Sequence, residues 1–134
     1  MTSDLAANSQ RYLIHSRQYL ENALLALQNL EAGKAGELLW GSVAEMVHAV
    51  AAYNNTQLHS HRELKNFVIQ LARELNDDTI KKDFLTAESL HHNFYEVQQE
   101  PIDIEIVVPI VRELVNKLFR LLPSEANRQP IPPQ

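Results

Sequence analysis

Six histidines and seventeen carboxylates are spread along this chain, and a few of them fall at spacings that chemistry uses. Two Glu-x-x-His pairs, Glu45/His48 and Glu88/His91, place a carboxylate and an imidazole one helical turn apart, the unit by which di-iron carboxylate bundles hold metal. His59 and His61 flank Ser60 just ahead of a helix start, a pair that could bind a metal or, because free N–H groups and the dipole there favour negative charge, an anion. The densest polar stretch is Glu88-Ser89-Leu90-His91-His92-Asn93-Phe94-Tyr95-Glu96, which packs two His, an Asn, a Tyr and two Glu into little more than two turns.

Each of these has a plainer structural counterpart. A four-helix metal site needs an inward Glu from each of two further helices, yet Glu21, Glu105 and Glu113 lie off the apolar stripes of their segments. Glu45 and His48 lie opposite the stripe of Val43, Val47 and Val50, which predicts that they face solvent. Ser60-His61-Arg62-Glu63 has the Ser-x-x-Glu form of a capping box, so His61 and Arg62 are expected to decorate a first turn. His91 falls within the apolar arc of Ile80, Phe84, Ala87 and Leu90, with Glu88 and His92 on its flank, and is expected to be buried, in the core or at an interface. Ser42, Ser60 and Ser89 lack the glycines of a nucleophile elbow, there is no cysteine, and three scattered glycines cannot cradle a phosphate. No catalytic residue, metal ligand or cofactor is assigned. The ligand-contacting candidates are His91, Asn93, Tyr95, Glu88, His61 and Arg62.

Helical periodicity supplies the elements that must position these groups. Leu13, Leu20, Ala23, Leu24, Leu27 and Leu30 form one stripe on a long first helix from near Asp4 to Ala32, ended by Gly33. A second helix follows from about Lys34 to Tyr53, with Asn54-Asn55 as its stop, and Gly36 and Gly41 within it mean that packing must hold it. Leu64, Phe67, Val68, Leu71, Ala72 and Leu75 predict a third, opened by Ser60. Asn76-Asp77-Asp78 turns the chain into a fourth carrying Ile80, Phe84, Ala87, Leu90, Phe94 and Val97, closed by Pro101. The segment from Ile102 to Leu122 alternates like a strand at Ile102, Ile104 and Ile106, then steps like a helix. With no second strand to pair with, it is expected to be a helix, kinked or started near Pro109. The expected fold is all-α: an antiparallel bundle of about five helices over residues 1–122, with a Pro-rich, mobile tail at 123–134.

A chain of 134 residues that is 45% hydrophobic and 22% charged has enough apolar surface for one core. Its net charge of −5 excludes a broad phosphate-neutralising face, so any nucleic-acid contact must be local. No basic stretch precedes an apolar segment at Met1-Thr2-Ser3-Asp4, and no apolar run reaches the ~18 residues of a membrane span. A cytoplasmic protein is expected. Ile14, Leu25, Ile106 and Ile110 lie off the main stripes, which predicts a homodimer that covers them.

Three blocks in order, Leu38-Leu39-Trp40-Gly41-Ser42-Val43-Ala44, Ser60-His61-Arg62-Glu63-Leu64 and Ala87 to Glu96, resemble the PaREP-type branch of the HEPN-like proteins, over about Tyr12 to Leu122. The resemblance implies an antiparallel helical bundle, commonly a homodimer. It also implies a range of roles: metal-independent endoribonucleases, toxins encoded beside a nucleotidyltransferase antitoxin, and inactive versions that bind RNA, nucleotides or proteins. Active members place roughly four to six residues between an Arg and a following His. Here the nearest approach is Arg11 and His15, with three between, on the first helix. The leading expectation is therefore a dimeric binding module, acting on RNA or nucleotides or beside a nucleotidyltransferase-like partner. A metal-independent ribonuclease centred on His91 and a purely structural dimeric interaction protein stand as alternatives.

Overall fold

One helix of the bundle has almost no polar side to offer to water: Ala32–Tyr53 carries only Lys34, Glu37 and Glu45 as charges, among alanines, valines, leucines and Trp40. The others must surround it. The structure, a computed structural model, describes residues 2–96 and 100–123, with side chains for 7–92 and 100–123. It consists of α1 (Thr2–Gln28), α2 (Ala32–Tyr53), α3 (His61–Leu75), α4 (Asp78–Glu96) and α5 (Pro101–Phe119), with no strand among the described residues. This is the all-α bundle expected from the periodicity. α2 packs against all four other helices, most extensively against α1. None of the described helices is long and apolar enough to cross a membrane.

The α1–α2 pair is close because small residues recur every seventh position on both helices. Ser9, Ser16 and Ala23 on α1 and Ala35, Ser42 and Ala49 on α2 are all buried. Larger Leu13 and Leu39 fill the intervals, a spacing of three and four that suits a left-handed antiparallel seam. Ser16 Oγ donates to the Ser42 carbonyl at 2.7 Å and Ser42 Oγ donates back to the Ser16 carbonyl at 2.9 Å. Ser9 Oγ donates to the Ala49 carbonyl at 2.9 Å in the same register. Each hydroxyl uses the second lone pair of a carbonyl already bonded within its helix, so no buried donor is orphaned. Gly41 belongs to this close approach, since a Cβ there would meet the Tyr19 ring at 3.0 Å.

Several expected boundaries shift. α1 ends at Gln28, and the left-handed residue is Leu30 (φ 60°), with Glu31 N–H bonding back to the Ala26 carbonyl at 2.9 Å. Gly33 instead lies inside α2, and Leu30, counted on the apolar stripe, is 74% exposed. Pro101 opens α5 rather than closing α4, because a first helical position needs no N–H, and the helix then runs through Pro109. The apparent strand is one face of this helix sampled at every second residue. Ile104 is fully buried while Ile102 and Ile106 are 60% and 63% exposed, and the inward stripe continues through Val111, Leu114, Val115 and Leu118.

The remaining caps agree with the sequence. Ser60 Oγ accepts from Glu63 N–H at 3.1 Å, while Glu63 Oε1 accepts from His59 N–H at 2.7 Å, one residue further out than in the simplest box. Asp77 Oδ1 accepts from Thr79 N–H at 3.0 Å, and Lys117 Nζ reaches Asp77 Oδ2 at 3.2 Å, tying the start of α4 to α5. Phe94 and Val97 of the expected α4 stripe, and the tail from 124 onward, lie outside the described residues or side chains.

The seam makes an ordered prediction. Ser16→Ala should cost about 1 kcal/mol, since one hydrogen bond is lost and no buried donor is left unpaired. Ser16→Leu should cost more, about 3 kcal/mol, by forcing the two backbones apart. Urea unfolding midpoints check the order; equal losses would mean that the close approach contributes nothing.

Candidate functional site

The first turn of α3 and the second half of α4 meet over the N-terminal half of α2, and three of the chain's six histidines gather there. A helix presents positions four apart on one face, so α3 contributes His61 and Lys65 together, and α4 contributes Glu88 and His92. From beneath, α2 adds Glu37 and Trp40.

Glu88 is the centre of the group and its most buried polar member, at 6% exposure. Its Oε2 lies 2.5 Å from His61 Nε2, and its Oε1 lies 3.5 Å from Lys65 Nζ. Burial pushes this carboxyl up, but the hydrogen bond with His61 and the Lys65 charge together outweigh it, and Glu88 is held below the ordinary carboxyl range. His91 Nδ1 lies 3.1 Å from Glu37 Oε2 and 3.3 Å from Oε1, an arrangement that orients the ring. Trp40, itself buried, lies under both rings: its centroid is 5.5 Å from His61 and 6.0 Å from His91, with Phe84 edge-on at 5.5 Å. His92 completes the cluster, 6.3 Å from the His61 ring and 6.0 Å from that of His91.

Of the residues singled out from the sequence, His61, Glu88 and His91 are brought together. Within the single chain the core does not take in His91, whose side chain is 40% exposed, and Glu88 is the buried one. α4 has α3 on its Glu88 side, whose first turn covers the carboxylate, and a helical wheel of α4 alone does not contain that neighbour. Arg62 is exposed beside His61 and makes no hydrogen bond or ion pair among the described residues. Asn93 and Tyr95 fall among the side chains that are not described. Glu37, Trp40, Lys65 and His92 belong to the site although the sequence did not single them out as ligand-contacting. The available signal was Glu37, a charge one turn from the only tryptophan on the most apolar helix.

The two Glu-x-x-His pairs do not serve one centre. Glu45 and His48 do not face solvent as expected but lie half-buried in the α1–α2 seam, where Glu45 Oε1 is 3.1 Å from His15 Nδ1 and His48 stacks on Tyr12 at 5.0 Å and 20°. His59 contributes its backbone N–H to the cap and is exposed.

Residues 11–115 match the model of the archaeal PaREP1/PaREP8 family. No curated protein and no solved structure matches the chain.

The seam histidine makes a pH prediction. Burial lowers the His48 pKa below that of free imidazole, with the Glu45 carboxylate pulling weakly the other way. The unfolded chain therefore takes up a proton here before the folded one does. The stability this group contributes is complete above the free-imidazole pKa and is lost as pH falls through the lowered value. His48→Gln should flatten the decline in denaturant midpoint on acidification across that window. An unchanged slope would mean that the ring is not held neutral by the seam.

Proposed function

Since the chain belongs to the archaeal PaREP1/PaREP8 family, we propose from the histidine cluster that it is a homodimeric, HEPN-like module that binds single-stranded RNA locally without cutting it. One observation carries this reading. His61, His91, His92, Lys65 and Arg62 gather on one exposed edge of a chain that is otherwise acidic, while the imidazoles nearest Trp40 are paired with carboxylates and not with an arginine. Phosphodiester cleavage needs a cation placed where charge develops on the phosphate, as well as a base. Among the described residues no arginine hydrogen-bonds or ion-pairs with any member of the cluster. Arg62 and Lys65 suit the holding of a phosphate, and the half-exposed His91 ring on Trp40 suits contact with a base. The HEPN-like assignment is supported by the five-helix order and by the three sequence blocks.

Dimer formation is supported by apolar surface that the monomer leaves in water, namely Leu25 on α1 and Ile102 and Ile106 on α5. Sedimentation at micromolar concentration should give twice the chain mass. A monomer under those conditions removes this part of the proposal.

RNA binding is tested with a fluorescent single-stranded oligonucleotide in the presence of EDTA. With about three phosphate contacts, the slope of log K on log salt should be about −2, far shallower than for a protein with a broad basic face. Arg62→Ala and His91→Ala should each weaken binding while the melting temperature stays unchanged, and the oligonucleotide should remain intact. Cleavage by the wild type that is lost in His91→Ala would establish the ribonuclease instead. Absence of binding would overturn the RNA reading.

A further inference from the structure

We propose that His61, Glu88 and His92 form a binding site for a divalent transition-metal cation of the zinc class, with a fourth position open to solvent. Each of the three offers one ligand atom, and these atoms lie within 4.8 Å of one another. Around a tetrahedral zinc with bonds of about 2.1 Å, neighbouring ligand atoms stand roughly 3.4 Å apart. The 2.5 Å contact of His61 Nε2 with Glu88 Oε2 must therefore open by about 1 Å, and no pair need close by more than about 1.4 Å. Side-chain rotations of that size need no movement of the helices.

The ligands are held from both sides before any cation arrives. Glu88 and His92 share a face of α4 one turn apart, and Glu88 is buried, so its carboxylate has little freedom to swing into water. His61 is the first residue of α3, fixed by the Ser60 cap and by the Glu63 bond to His59 N–H. Lys65 engages Oε1 of Glu88 and leaves Oε2 to face His61. A cation at Oε2 would keep the buried carboxylate compensated, as the His61 hydrogen bond does now. The His61 and His92 side chains are exposed, which gives the ion a path in. Two imidazoles with a single carboxylate favour zinc, nickel or copper over magnesium or calcium, which require mostly oxygen ligands. His91 is outside this set, because its Nδ1 is engaged by Glu37.

This inference does not depend on the RNA reading, and the two can fail separately: RNA binding is measured in EDTA through Arg62 and His91, metal binding without RNA through His61, Glu88 and His92. The experiment uses the full chain without a histidine tag, titrated with zinc sulfate by calorimetry and with cobalt(II) by visible absorption, with nickel(II) quenching of Trp40 as a third readout. One zinc per chain is expected, with a tetrahedral cobalt spectrum and a melting temperature that rises with zinc. His61→Ala, Glu88→Gln and His92→Ala should each weaken zinc binding by roughly tenfold or more, and His15→Ala should leave it unchanged. Lys65→Met keeps the test decisive if a ligand variant unfolds, because removing a cation that competes for Glu88 should tighten zinc binding, an effect that no purely structural role of the cluster produces. No zinc binding overturns the proposal. So does binding that survives all three substitutions, or binding that Lys65→Met weakens.

Discussion

The structure depends on the need to bury α2 on every side. Its charges are few and its small residues face α1, so α1 can approach until serine hydroxyls bridge backbone to backbone across the seam at Ser16 and Ser42. That closeness uses only one flank of α2. The valines, Leu39 and Trp40 on the other flanks remain to be covered, which draws α3, α4 and α5 around it. α1 is thus a long strap along one side, joined to the far helix where Arg17 lies 4.9 Å from the centre of the Phe119 ring.

The histidine cluster follows from that arrangement. Glu37 and Trp40 are one turn apart near the start of α2, so the face that buries Trp40 also carries a carboxylate to the edge of the core. α4 must cross this edge to bury Phe84 against Trp40, and two turns further on it brings His91 to Glu37. α3 runs back along α4, and its capped first turn falls over Glu88. Partly buried carboxylates elsewhere obey the same rule of compensation: Glu45 faces His15, and Asp77 faces Lys117.

The five helices were legible because each has a continuous apolar stripe, and the Ser60 cap was legible because the hydrogen bonds it makes are local. Sequence and structure differ where two local signals compete. Gly33 looked like a helix end because glycine tolerates positive φ, but the exposed turn at Leu30 accepted that conformation with a side chain in solvent. Pro109 looked like a start because it lacks an N–H, yet it sits on the exposed side of α5, and Pro101 supplied the true start. Glu88 lies on the flank of the α4 apolar arc, and it is the first turn of α3, absent from a wheel of α4 alone, that buries it. The site was therefore legible as a list of residue types on two helices. Its pairings were not, since Glu37 and His91 are separated by 54 positions and meet only through the packing of α2.

Whether such a cluster serves the fold alone or also a ligand turns on what remains unsatisfied. A carboxylate kept only for structure is best served by donors that are themselves buried, because an exposed donor loses little by turning to water. Glu88 is buried, but His61, which approaches it most closely, has a side chain 45% exposed, and Lys65 is half-exposed as well. The His61 and His91 rings each commit one nitrogen to a carboxylate, and among the described residues the second nitrogen of each meets no hydrogen-bond partner. The buried seam contrasts with this: Ser16 and Ser42 bond each other reciprocally and expose nothing. A fold that can satisfy buried polar groups so fully in one place, yet leaves a buried carboxylate beneath half-exposed imidazoles in another, keeps at that edge a coordination capacity that folding does not use.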